Sequence, residues 1–341
     1  MKHTLLVTAL LGLHLSAQSQ TRVKPPGEAP DAPTSHRLFL PTTPAGPECM
    51  KAVASSDFVS VSLMHAEDFN ELPELAKGDG KPCGELGCLA PHMDGGKNRD
   101  TGLHEGYNWP SKRRQQGAYE QQTYVDPLFK GLGLQPFSVK DGILSITARR
   151  AADEHTGDAL FGGVFTSGLL STHQRYAQQY GYFEIRAKLP SGADQLPAFW
   201  MLPIDRSWPP EIDIMENMVE NQISQGSHWV ANNASKQSSC KTSFPKYDEG
   251  MHTYGALWTP ERIVYYIDNV LIGQIQTKPA QHQPFYMMVN LAIGGNYVGF
   301  VGRTDPWYPR TMEVDYIAAY SDGAKNCTKS TDSVNKMMTC K

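Results

Sequence analysis

Strict period-two alternation is the feature that most limits what this chain can fold into. From Tyr182 to Leu189, Phe183, Ile185, Ala187 and Leu189 fall on one side of an extended strand. Tyr182, Glu184, Arg186 and Lys188 fall on the other. Successive strand side chains point to opposite faces, so this run reads as a strand with one face in a core. Phe137 to Ala148 carries an Asp141-Gly142 pair between two apolar stretches, a hairpin signal because residues that accept positive φ match the strand twist. Arg262 to Gln276 reads as strand, Asp268-Asn269 turn, strand. Phe285 to Ile293 and Thr311 to Tyr320 are further strands by the same reading. No window after residue 120 sustains a helical period over three turns. The expected class is all-β, a two-sheet antiparallel β-sandwich.

Composition narrows the function. The chain has 341 residues, 40% hydrophobic and 19% charged, with a net charge of -4. That is a globular balance with no basic surplus for a nucleic-acid backbone. The basic run Lys112-Arg113-Arg114 has no interleaved aromatic residues and reads as a solvated loop. At the N-terminus, Lys2 and His3 precede an apolar run from Leu5 to Leu15, then small residues Ser16, Ala17 and Ser19. This is the pattern of a secretory leader, too short to span a bilayer.

The expected organisation is a leader at 1–19, a Pro-rich linker or tail at 20–56, one domain at 57–322 and a C-terminal tail at 323–341. Residues 78–118 are Gly-rich and polar and read as a long surface loop. The chain is expected to be secreted, extracellular or periplasmic, and to act as a monomer away from membranes. Six cysteines in an exported chain point to disulfides. Local pairing favours Cys83–Cys88 and Cys327–Cys340, leaving Cys49–Cys240.

The segment that carries chemistry is Glu211-Ile-Asp213-Ile-Met-Glu216. On an ideal strand Glu211 and Asp213 share a face while Ile212 and Ile214 enter the core. Glu216 would then point inward, where an unpaired carboxylate is costly. A β-bulge at Met215 restores the parity and brings all three acids to one wall. Two carboxyl groups on one wall suit retaining glycoside hydrolysis, in which one attacks the anomeric carbon and the other protonates the leaving oxygen. Like-charge crowding keeps a proton on one of them. The alternative is an exposed acidic face or a calcium site, since calcium takes oxygen ligands.

This segment resembles the bulged signature of glycoside hydrolase family 16. Ser167-Gly-Leu-Leu-Ser-Thr, Tyr180-Gly-Tyr-Phe-Glu-Ile-Arg-Ala-Lys-Leu-Pro190, Pro197-Ala-Phe-Trp-Met-Leu-Pro203, Trp208-Pro-Pro and Asn290-Leu-Ala-Ile-Gly-Gly295 agree with the same family in order and rough spacing. The likeness runs from about residue 118 to 320. It implies a β-jelly-roll sandwich with a concave substrate cleft, Glu211 as nucleophile, Asp213 as its helper and Glu216 as acid/base. It implies no required cofactor, although relatives carry a structural calcium; no catalytic metal is expected.

Sugars stack their apolar faces on aromatic rings while polar groups fix the hydroxyls. Trp208, just before the acids, is the foremost platform candidate, followed by Trp229 and Trp200, with Trp258 and Trp307 weaker. His228 is a candidate partner of Glu216 or of a sugar hydroxyl, and Asn290 a candidate cleft residue. Arg186 and Glu184 share a face and are expected to pair. Relatives often carry Trp where this chain has Leu196, and again shortly after Gly-Gly, where it has Asn296-Tyr-Val-Gly299. Tyr119-Glu-Gln-Gln-Thr-Tyr-Val-Asp-Pro127 resembles bacterial members that trim exopolysaccharides of mixed linkage. The expected partner is a polysaccharide, first a β-1,3- or mixed β-1,3/1,4-linked glucan or exopolysaccharide cut internally. A galactan hydrolase, a transglycosylase and a non-catalytic carbohydrate-binding protein stand as alternatives.

Overall fold

The structure, a computed structural model, describes residues 32–69, 90–91, 120–125, 132–151, 160, 163–172, 176–205, 207–302, 308–321, 323, 327–329 and 338–340. The leader, the Lys112–Arg114 run, Trp307 and the Cys83–Cys88 pair lie outside them.

The described strands form a 12-stranded and a 10-stranded sheet. The first sets Gly181–Lys188 between His252–Trp258 and Arg310–Ser321. The second sets Gln195–Pro203 between Phe285–Ile293 and Glu211–Val219, with Gln222–Ala231 and Ala234–Ser243 beyond. Between the sheets, Phe183, Ile185 and Ala187 meet Phe199, Ile212, Met215 and Val289 in one core. Each large aliphatic or aromatic side chain buried there stabilises the fold by roughly 1.5–3 kcal/mol. The expected hairpin turns are present. Asp141 and Gly142 have φ of 52° and 77°, and Asp268 and Asn269 have 49° and 62°. No helix among the described residues is long and apolar enough to cross a membrane.

The outward face of the Gly181–Lys188 strand departs from expectation. Tyr182 and Glu184 are as buried as their inward neighbours, because a layer of strands from the same sheet, which Ala54–Asp68 joins by pairing with Arg310–Ser321, covers them. Ser35–Pro41 pairs antiparallel with Ala54–Asp68. Its Leu38 and the partner strand's Val61 pack on Tyr182, Tyr266, Tyr316 and Tyr320. From Ser35 onward, then, the stretch expected as a linker belongs to the folded β structure. Its prolines do not oppose this, since Pro41 ends a strand and Pro44 and Pro47 lie in the following loop, where no ladder N–H is needed.

Beneath that layer Glu184 accepts hydrogen bonds from Tyr182 and Tyr316, both at 2.7 Å, and His36 Nε2 lies 3.3 Å away. Gly255 makes the room, since a Cβ there would meet the Tyr182 hydroxyl at 2.1 Å. Arg186 therefore does not pair with Glu184. It pairs with Asp315, which sequence distance hid.

Cys49 and Cys240 form a disulfide with Cα atoms 5.3 Å apart. It ties the N-terminal segment to the Ala234–Ser243 strand of the other sheet. The Cys327–Lys329 and Met338–Cys340 strands pair with Cys327 opposite Cys340; the side chains of that expected bridge lie outside the described part.

Candidate active site

The bulge expected from parity is present in the Glu211–Val219 strand. Toward Gln195–Pro203, Trp200 pairs with Asp213 and Phe199 with Met215, so Ile214 has no counterpart. Toward Gln222–Ala231, Asp213 opposes Gly226 and Glu216 opposes Ser224. The extra residue therefore spans Ile214 and Met215 rather than sitting at Met215 alone. Both side chains enter the core at 0% exposure, and Glu211, Asp213 and Glu216 come out together along one cleft.

Trp208 stands at the rim, 51% exposed, and donates its indole N–H to Glu211 Oε2 at 2.6 Å. His228 lies opposite Glu211 in register. Its Nε2 is 3.5 Å from Asp213 Oδ2 and 3.8 Å from Glu211 Oε1. Across the cleft Trp200 donates to Asn290 Oδ1 at 2.7 Å, and Asn290 Nδ2 donates to the Tyr124 hydroxyl at 3.0 Å. Both residues line the cleft.

Trp229 does not. It is 9% exposed, packs in the core between the sheets and lies under Lys278 Nζ, 4.3 Å from the ring centroid. Neighbours on a strand face opposite ways, so once His228 faces the acids Trp229 must turn inward. Trp258 is likewise core.

Two residues were not singled out from sequence. Glu120 and Tyr124 line the cleft, brought there as Gln122–Tyr124 pairs parallel with Phe165–Ser167. Gln122 Nε2 donates to Glu120 Oε2 at 2.8 Å. Leu169, Leu196, Ala198 and Ala292 complete an apolar floor, a surface suited to the C–H face of a sugar ring.

The acids are also held from behind. Ser227 Oγ donates to the Glu211 carbonyl at 3.1 Å. Gln281, fully buried, donates to Ser227 Oγ at 2.5 Å and to the same carbonyl at 3.3 Å. Tyr265, from the facing sheet, donates to the Gly226 carbonyl at 2.5 Å. Burial first, then the charges of Asp213 and Glu216, push its phenol far above the ordinary range, so it stays neutral below the acids.

Glu211, Asp213 and His228 offer ligand atoms within 4.8 Å of one another, the set through which an ion would be held. The indole and imidazole donors already directed at these carboxylates equally suit acids that work without one.

Comparison with known proteins agrees with this geometry. The profile of Glycosyl hydrolases family 16 matches residues 133–317. The chain is 40% identical over 204 residues to the endo-1,3-1,4-beta-glycanase ExsH of Rhizobium meliloti (strain 1021), covering 59% of this chain and 43% of that protein. It is 35% identical over 205 residues to a beta-glucanase of Rhodothermus marinus, covering 53% of this chain and 69% of that one. Among solved structures it resembles the laminarinase of Flavobacterium sp. UMI-01 at 26% identity and a TM-score of 0.56, covering 76% of this chain and 100% of that one. The chain spans less than half the length of the first of these relatives.

Proposed function

The chain belongs to glycosyl hydrolase family 16, and on that footing we propose that it is a retaining endo-β-glycanase acting on a β-1,3- or mixed β-1,3/1,4-linked glucan or exopolysaccharide. The observation that carries the reading is three carboxylates lining one cleft together with polar and apolar side chains, a surface suited to a sugar ring. Relatives named for 1,3-1,4-β-glycanase and β-glucanase activity support the substrate class.

In this mechanism Glu216 protonates the glycosidic oxygen as Glu211 attacks the anomeric carbon, giving a glycosyl ester and a free sugar end. Glu216, now a carboxylate, takes a proton from water, whose oxygen attacks the same carbon and releases Glu211. The indole of Trp208 and the ring of His228 stabilise the anionic Glu211 and Asp213 before attack. Asp213 orients the nucleophile. We also propose export, supported by the leader-like N-terminus and by a disulfide that requires an oxidising compartment.

The test is incubation with laminarin, mixed-linkage glucan, succinoglycan, agarose and carrageenan. Internal cleavage of at least one of the first three is expected, with release abolished in Glu211→Ala and Glu216→Ala proteins. Cleavage of the galactans alone would overturn the substrate class. Full reducing-sugar release by either variant would overturn the mechanism.

A further inference from the structure

The Gln222–Ala231 strand turns Ile223, Gln225, Ser227 and Trp229 toward the core. Two of the four are polar, on a face that elsewhere carries large apolar side chains, and each meets a backbone carbonyl of the catalytic strand. Ser227 meets Glu211, as above. Gln225, at 0% exposure, donates Nε2–H to the carbonyl of Ile214 at 2.8 Å.

Ile214 is the residue that the bulge leaves without a counterpart. An extra residue in a strand drops out of the ladder, and a buried carbonyl without a donor is destabilising. Gln225 meets that need. The same Nε2 faces the carbonyls of Tyr266 at 3.3 Å and Gly255 at 3.5 Å, both from the opposite sheet. Three converging carbonyls fix which way the amide points, with its NH2 toward the bulge. Its Oε1 is buried with no hydrogen-bond partner. A fully buried amide with half its bonding capacity unused is a poor way to fill a core. Its position is accounted for by what the donor end does.

From this geometry, and resting on the assignment of Glu211 and Glu216 as the reacting pair, we propose that Gln225 is a positioning residue for the hydrolytic reaction. By holding the Ile214 carbonyl it fixes the bulge, and the bulge fixes Glu216 relative to Asp213 and Glu211. It touches no substrate.

The experiment compares Gln225→Met and Gln225→Glu with the wild type. Methionine keeps length and volume but cannot donate. Glutamate donates only when protonated. Expected for Gln225→Met is a kcat lower by roughly ten- to a hundredfold, the effect of misplacing a reacting group by a fraction of an ångström to an ångström, with KM within about twofold. The shortfall should be equal at every pH. For Gln225→Glu the shortfall relative to wild type should shrink as pH falls, because the protonated acid restores the donor. A merely structural role would lower the melting temperature of both and leave kcat, KM and this pH-dependent rescue unmoved; that result overturns the proposal. The local geometry of the bulge in each variant, read from amide hydrogen exchange and from the strength of cross-strand nuclear Overhauser contacts at Trp200–Asp213 and Ala198–Glu216, tests the proposal independently of turnover. A bulge as protected in Gln225→Met as in the wild type would overturn it too. A wild type that cleaves none of the polysaccharides would instead sink the enzymatic reading, and the exchange comparison would still test the role of Gln225 in the bulge.

Discussion

The indole of Trp208 donates a 2.6 Å hydrogen bond to Glu211 Oε2, although half of its own surface is open to solvent. One side chain thus offers a platform for sugar and a donor for the nucleophile. Trp208→Phe keeps a ring and removes the donor. The bond strengthens as Glu211 regains its charge and departs in the second step, and a hydrogen bond to a charged group contributes about 1.5–3 kcal/mol, so with that step limiting, kcat should fall by roughly 10- to 100-fold with a smaller change in KM. Steady-state kinetics on a defined oligosaccharide measure the split. A change confined to KM would reduce Trp208 to a platform.

His252 sits 2.7 Å from Asp268 across the sheet edge. The bond to Asp268 holds the imidazolium and raises the histidine above its ordinary 6.5. Burial alone would raise Asp268, but bonds from His252 and the Thr253 N–H outweigh it and bring the acid below 3.8. The signs follow from linkage. The histidine's contribution to stability is complete below about pH 6.5 and is lost as pH rises through the folded value. The acid's contribution is present above about pH 4 and is lost as pH falls. An NMR titration should show the His252 midpoint falling in Asp268→Asn; an unchanged midpoint would remove the pair from the account.

The Cys49–Cys240 bridge closes a separation of 191 residues. Replacing both cysteines with serine should cost roughly 2–5 kcal/mol and lower the melting temperature by about 5–15 °C. Calorimetry checks this. A shift below a degree would mean that the N-terminal segment is held by its strand pairing and apolar contacts without the bridge.

Glu184 is a buried acid remote from the cleft face, fed by two tyrosyl donors. Burial first, then this carboxylate, push the phenols of Tyr182 and Tyr316 upward, so they remain donors at any working pH. Glu184→Leu strands both and should destabilise by roughly 3–5 kcal/mol without altering kcat below the melting range. A chemical denaturation curve and an assay at low temperature separate the two effects.

What the sequence disclosed depended on how local the determining physics was. The Asp141-Gly142 turn and the Phe183–Leu189 face are set by neighbours along the chain. So is the bulge, because an odd spacing between Glu211 and Glu216 conflicts with strand parity and only one extra residue resolves it. Non-local pairing hid the rest. The Ser35–Pro41 strand reads as a Pro-rich tail because its partners, among them the Ala54–Asp68 strand, Glu184 and four tyrosines, lie elsewhere along the chain. Arg186 is held by the distant Asp315 and not by Glu184, its neighbour along the strand. Glu120 and Tyr124 become cleft residues only through a parallel pairing. Trp229 is a different case, since strand parity alone already forbids it from sharing the face of His228.

A 2-deoxy-2-fluoro β-glycoside with a good leaving group slows the second step more than the first, so it traps whichever side chain attacks. Incubating the wild-type protein with such a β-1,3-linked oligosaccharide, followed by digestion and mass spectrometry, should place the sugar on the peptide carboxylate of Glu211. A label on Asp213 or Glu216, or release of the leaving group with inversion and no trapped ester, would contradict the assignment.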